Sequence, residues 1–330
     1  MAPLLEVRGL RVTFSGYRGE SQVLAGVDLE VGAGEQVGLV GETGCGKSVA
    51  MKAILGLLPS PPVRVEGEVR FRGRALGPEE LRALRGREIT MIFQDPMASL
   101  NPVFTIGQQL HDVILRGGKV PPREAAARAR AILREVRLPD PDRVLRAYPF
   151  QLSGGMRQRV LIAMALVNEP DLVIADEPGT ALDVTIQAQI LLLLRDLVER
   201  QGISVLLISH NLGVVRQVTR RVYVMYAGTI VEVAPTAALF RTPRHPYTQG
   251  LLAAVPKLTG EGVPAGIEGM IPDYVAPPPG CRFAPRCPYA MAVCDTPPPA
   301  IPVGPAHQAA CWLYSPEAVL ASGQAHGHDR

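Results

Sequence analysis

The sequence has no long apolar run. None of its stretches approaches the roughly 18–20 residues needed to cross a bilayer, so no membrane-spanning helix is expected. A secretory leader is not expected either: the opening Met1-Ala2-Pro3-Leu4-Leu5-Glu6-Val7-Arg8 has an acid inside its short apolar stretch and no cleavage pattern. Charge of one sign is scarce, since 34 Lys+Arg against 31 Asp+Glu leaves a net of +3, which gives no reason to expect nucleic acid as a partner. Internal repeats of 20–50 residues and sustained heptads are absent, which excludes solenoids and long coiled coils. What remains is a chain of 330 residues, 47% hydrophobic and 20% charged, too apolar for disorder and long enough for about two domains. Such a chain is expected to be soluble and cytosolic.

Proline divides it. Of 31 prolines, 15 fall between Pro243 and Pro305, and Cys281, Cys287, Cys294 and Cys311 lie in or just beyond that stretch. Before it, short apolar runs read as buried parallel strands (Gln36–Val40, Leu172–Ala175 and Ser204–Ile208) and alternate with helical stretches such as Ala188–Arg200. This pattern predicts an α/β core. Leu4–Thr13, Ser21–Glu30 and Gly67–Arg72 read as an antiparallel β layer, and 106–148 as mostly helical. The boundaries expected are a body over 1–240, with a helical subdomain at about 95–165, and a loop-dominated extension over 241–330, its last ten residues frayed.

Gly41-Glu42-Thr43-Gly44-Cys45-Gly46-Lys47-Ser48 fits the P-loop pattern between a strand and an apolar helix expected over Val49–Leu58. The glycines let backbone N–H groups turn toward phosphate, and the helix N-terminus adds partial positive charge. Lys47 is expected to reach the β- and γ-phosphates of ATP and Ser48 to hold Mg²⁺, with residues Gly41 through Val49 lining the nucleotide. Cys45 reads as a small filler and not as a redox centre. A second strand ends in Asp176-Glu177, whose side chains face opposite ways. Asp176 is expected to hold Mg²⁺, largely through water, and Glu177 to act as general base.

Leu152-Ser153-Gly154-Gly155-Met156-Arg157-Gln158-Arg159 resembles the signature motif of the ATP-binding cassette (ABC) family, and the remaining family marks follow in order. Gln94 looks like the Q-loop glutamine, a further Mg²⁺ contact. Thr180-Ala181-Leu182-Asp183 is similar to the D-loop, which implies that Asp183 lies at a dimer seam. His210 resembles the switch histidine. Either Phe14 or Tyr17 is implied to stack on adenine. Gly179 stands where relatives often carry threonine. The resemblance implies a P-loop ABC ATPase fold with a mixed sheet. It also implies two ATP molecules sandwiched between subunits, each facing the partner's Ser153, Gly154 and Gly155.

The tail resembles the C-terminal extension of oligopeptide and dipeptide importer ATPases in Arg244-His245-Pro246-Tyr247-Thr248, Leu251-Leu252, Val255-Pro256, Gly280–Pro288 and Ala310–Leu313, as does Gln94–Pro102 near the Q-loop. Its four cysteines are spaced C-x5-C-x6-C-x16-C, without the C-x2-C knuckle of common zinc sites. In a reducing compartment they read as a metal clamp, Zn²⁺ or [4Fe–4S], and the plain alternative is four buried thiols. The resemblance favours the iron–sulfur cluster. His245 is expected to cap a turn and not to be a fifth ligand. The implied partners are a second ABC ATPase subunit (a heterodimer), two transmembrane permease subunits and, indirectly, an extracytoplasmic solute-binding protein, at the cytoplasmic face of the membrane. Nickel, glutathione or oligosaccharide remain open as solutes. A soluble ABC ATPase of DNA repair or translation is the rival, weakened by the single signature and the near-neutral charge.

Overall fold

The computed structural model describes residues 2–118, 120–179, 182–254 and 266–315. The strands are β1 (Leu5–Gly16), β2 (Gly19–Val31), β3 (Gln36–Val40), β4 (Val63–Phe71), β5 (Arg74–Ala75), β6 (Ile89–Ile92), β7 (Leu172–Asp176), β8 (Ser204–Ile208), β9 (Arg221–Tyr226), β10 (Thr229–Pro235), β11 (Ala300–Gly304) and β12 (His307–Ala310). Four of them form a sheet in the order β2-β1-β4-β5. The chain divides into two compact units: Met1–Glu6, Glu30–Val37 and Val69–Thr219 make the first, and Val7–Leu29, Gly38–Glu68 and Arg220–Arg330 the second. Among the described residues no helix is long and apolar enough to cross a membrane.

In the first unit β7 runs parallel between β6 and β8, Ile89 pairing with Leu172 on one side and Leu172 with Ser204 on the other. All five β7 residues are buried, which is why its sequence is an unbroken apolar run ending in a single acid. Helices fill the stretch between β6 and β7. Helix Ile106–Gly117 opens with a reciprocal capping box between Thr105 and Gln108 and closes at Gly118, in the left-handed conformation (φ 67°) that glycine adopts without strain. Its buried residues Ile106, Leu110 and Ile114 recur every fourth position, one face of a helix. Helix Pro122–Glu135 starts on proline, where a missing N–H costs nothing, and buries Ala125, Ala129, Ile132 and Leu133. Helix Gly154–Leu166 follows, and after β7 the helix Val184–Gln201 buries Ile190, Leu191, Leu194 and Val198. Each such aliphatic contributes about 2 kcal/mol of transfer free energy.

In the second unit β9, β10, β12 and β11 form an antiparallel series in the order β9-β10-β12-β11. Parallel and antiparallel pairing therefore both occur, as expected of a mixed α/β fold. One expectation needs correction. The helix after the P-loop is Lys47–Ile54, not Val49–Leu58: Gly56 turns left-handed (φ 60°) and ends it, although Leu57 and Leu58 extend the apolar run. Within the tail, β11 and β12 form a hairpin that extends the sheet from β10. Pro302 is tolerated there because β11 is the outermost strand, whose free edge needs no N–H donor.

Candidate nucleotide site

The P-loop leaves β3 and enters its helix at Lys47, within the second unit. Three of its glycines take positive φ (Gly41 154°, Gly44 85°, Gly46 108°), and a Cβ on Gly41 would sit 2.2 Å from the Met225 carbonyl oxygen. Only glycine fits there. Lys47 is buried, and its Nζ donates to the carbonyls of Gly41 and Glu42, each at 2.8 Å. Burial raises the Cys45 thiol pKa against the opposing pull of Lys47, which suits a packing residue rather than a nucleophile. Ser48 and Val49 are half-buried at the helix start, and Thr43 is exposed.

Contacts from the tail, which the sequence reading missed, hold this loop. The Glu42 N–H donates to the Tyr247 hydroxyl at 2.8 Å, and the Tyr274 hydroxyl donates to the Gly44 carbonyl at 2.7 Å. Arg286 forks onto the Glu42 carboxylate, Nη1 to Oε2 at 2.9 Å and Nη2 to Oε1 at 3.3 Å. Burial raises the pKa of the Tyr274 phenol to about 12, so it remains a donor.

The acids lie in the first unit. Asp176 closes β7, 5% exposed, and Glu177 follows with φ 46°, a left-handed backbone that is costly for a residue with a side chain. The Glu177 N–H donates to Ile208 O at 2.9 Å, which pins the strained residue to β8. Its carboxylate is held at both oxygens: Gln94 Nε2 donates to Oε2 at 3.2 Å, and His210 Nδ1 lies 3.0 Å from Oε1. Gln94, Glu177 and His210, separated by 83 and 33 positions, therefore meet at one carboxylate. His210 sits between β8 and a helix capped by Asn211, whose side chain accepts from Val214 N–H.

Ser153 caps helix Gly154–Leu166, its hydroxyl accepting from Met156 N–H at 3.3 Å. A Cβ on Gly154 would meet Leu182 at 2.9 Å, and one on Gly155 would meet Ile186 at 3.1 Å. Asp183 is exposed, while Thr180 and Ala181 of the expected D-loop lie outside the described residues, as do Val255 and Pro256 of the tail motif. Phe14 is half-buried and Tyr17 fully exposed. On the first unit, Phe93, Met97, Val103, Phe104, Tyr148 and Phe150 are exposed. Tyr148 and Phe150 stack at 5.6 Å, and Ile106 N–H donates to Ala147 O, which draws the 103–106 and 147–150 segments together.

All five cysteines are free. Cys281, Cys287, Cys294 and Cys311 line one small cavity, with His245, Phe283 and Trp312. Burial raises the thiol pKa of Cys281 and Cys287, and that of Cys311 to about 12. Four soft sulfur donors around one cavity suit zinc or an iron–sulfur cluster. Among the described residues, however, no group of three or more His, Cys, Asp or Glu is gathered closely enough to hold an ion. His245 caps helix Pro246–Ala253, its Nδ1 accepting from Tyr247 N–H at 3.1 Å, and is a cap as expected.

A family profile described as ABC transporter matches residues 24–180, and one described as the C-terminal region of oligopeptide/dipeptide transporters matches residues 231–294. The dipeptide transport ATP-binding protein DppD of Bacillus subtilis (strain 168) is 46% identical over 98% of this chain and 99% of its own. The oligopeptide transport ATP-binding protein OppD of the same organism is 47% identical over 96% of this chain and 90% of its own. Among solved structures, the ATP-binding cassette MJ0796, a dimer in a post-hydrolysis state bound to ADP and Pi, is 29% identical with a TM-score of 0.62, covering 70% of this chain and 98% of that one. Likeness of this extent, joined to a P-loop, a carboxylate pair and a signature helix in these positions, shows that the chain is an ABC ATPase and belongs to the family of dipeptide and oligopeptide ABC transporter ATP-binding proteins.

Proposed function

We propose that the chain powers import of dipeptides or oligopeptides by hydrolysing ATP, with Glu177 as the base that polarises the attacking water. The observation that carries this is the Glu177 carboxylate at the end of β7, bracketed by Gln94 and His210. Lys47 and the glycine N–H groups receive the phosphates, and Ser48, Gln94 and Asp176 are the residues that would hold Mg²⁺. When bound, that ion neutralises charge on the transferring phosphoryl group. Ser153, Gly154, Gly155 and Asp183 face the ATP of a second ABC subunit, expected to be a different chain. Phe14 or Tyr17 stacks on the adenine. The exposed side chains around Phe104 and Phe150 form the surface for two permease subunits, which places the protein peripherally at the cytoplasmic face of the membrane, and a solute-binding protein acts indirectly. The names of the relatives support peptide as the solute.

The test is Glu177→Gln. Affinity for ATP is expected to persist while turnover falls by at least about a hundredfold, the usual scale of a lost general base. Turnover within a factor of about two of the wild type would overturn the assignment.

The four cysteines are proposed to hold a [4Fe–4S] cluster, with zinc as the alternative. The lining of one cavity by all four cysteines supports a shared group. Bound there, the group would crosslink tail segments that bury little apolar surface. Anaerobic purification followed by iron, sulfide and zinc quantitation separates the cases. About four irons and four sulfides per chain are expected; one zinc without iron would replace the cluster, and neither metal would leave four half-buried free thiols.

A further inference from the structure

A carboxylate inside a phosphate-binding loop is an electrostatic contradiction. Glu42 is the second residue of the P-loop, and its own backbone carbonyl accepts Lys47 Nζ at 2.8 Å, so its carboxylate is within one side chain's length of the lysine read as drawing phosphate. Unpaired, it would repel the ligand that the loop exists to hold. The structure answers this from 244 positions away: the Arg286 guanidinium takes both Glu42 oxygens, at 2.9 and 3.3 Å. The arginine is itself fixed. Its Nε donates to Glu268 O at 2.8 Å and its Nη2 to Ile267 O at 2.9 Å, and its side chain is only 6% exposed. A buried bidentate fork of this kind neutralises the carboxylate and also fixes where it points.

We propose that Arg286 is a positioning residue of the nucleotide site, which acts through Glu42 to cancel the negative charge of the P-loop and so sets affinity for ATP. The tail is thereby a working part of the nucleotide site. This rests on the reading of Gly41–Ser48 as the phosphate cradle and goes beyond it, since no P-loop pattern specifies a residue in the tail. Arg286 also immediately precedes Cys287, so the segment that neutralises Glu42 is the one that supplies a sulfur to the cysteine cavity.

The experiment is a fluorescence titration of the full chain with a ribose-labelled ATP analogue and Mg²⁺. Arg286→Ala is expected to weaken binding roughly tenfold, the scale of one uncompensated charge acting across several ångströms of protein. The defect should shrink as salt rises. Adding Glu42→Gln to Arg286→Ala is expected to return affinity to within about twofold of wild type, because the repelling charge is gone. A purely structural role predicts no such rescue. Unchanged affinity in a folded Arg286→Ala chain overturns the proposal, and so does a double variant no better than the single. Should Arg286→Ala fail to fold, Arg286→Gln decides: it keeps donors for the Glu268 and Ile267 carbonyls without the charge and is expected to bind about tenfold more weakly, and wild-type affinity would overturn the proposal. Lys47→Ala is the control for the underlying reading. If it bound like wild type, the phosphate cradle itself would be wrong, whatever Arg286 did.

Discussion

Acid should loosen the tail at His245, by an amount set by the surroundings of the ring. The residue is 1% exposed, its Nδ1 accepts Tyr247 N–H, and its Nε2 meets no acceptor among the described residues. Burial without a compensating charge lowers its pKa from 6.5 to about 3. The folded state therefore disfavours the imidazolium. The contribution to stability is fully present above the unfolded value of 6.5 and is lost as pH falls from there toward about 3. Each pH unit in that window removes about 1.4 kcal/mol, so descending from about pH 7.5 to about pH 4.5 removes nearly 3 kcal/mol. His245→Asn keeps an oxygen that can accept the Tyr247 N–H but does not titrate. Its smaller volume adds a cost that is the same at every pH. Urea unfolding of both chains across this range should show the wild type losing about 2–3 kcal/mol relative to the variant. Profiles that stay parallel within about 0.5 kcal/mol would refute the reasoning.

Two further outcomes are expected. Glu232 is fully buried, and its carboxylate accepts from Arg244 N–H at 2.7 Å and His245 N–H at 2.9 Å, with His307 Nε2 2.7 Å from Oε1. His307→Ala removes one hydrogen-bond partner of that buried carboxylate and should cost about 2 kcal/mol in chemical unfolding; a loss under about 0.5 kcal/mol would show that the two backbone donors suffice. Gly41→Ala forces a Cβ to 2.2 Å from Met225 O, so the loop must shift. ATP affinity, read by the same titration, should fall at least about tenfold, and wild-type affinity would mean that the strand yields freely.

The motifs of the proposed nucleotide site were legible because phosphate chemistry demands particular residue types at particular spacings. A P-loop needs its glycines where backbone meets backbone, and Gly41 against Met225 shows the reason directly. β7 was legible because five residues buried on both faces must be apolar until the last acid. The end of the helix after the P-loop was not, since Gly56 overrides an apolar run that looks continuous. The hairpin β11–β12 was hidden by its shortness and by Pro302, which argues against a strand everywhere except at an edge. The pairing of Arg286 with Glu42 leaves no local pattern, because two charges far apart in sequence carry no periodicity. The only hint was Glu42 itself, an acid where phosphate must bind. The bracket around Glu177 was half legible: Glu177 was expected from its strand end, and Gln94 and His210 from the resemblance, but the positive φ of Glu177 is invisible in the letters.

The pairing of Glu232 with His307, 75 positions apart, has a consequence in time. The β9–β10 hairpin is complete in the nascent chain once Pro235 has been made, yet the outer edge of β10 and its buried carboxylate wait for β12. At ribosomal rates of about 5–20 residues per second, that delay is on the order of 4–15 s. During it the strand edge is open and the carboxylate, held only by the Arg244 and His245 N–H groups, lacks its His307 contact, so this sheet is completed only after Ala310 has been made.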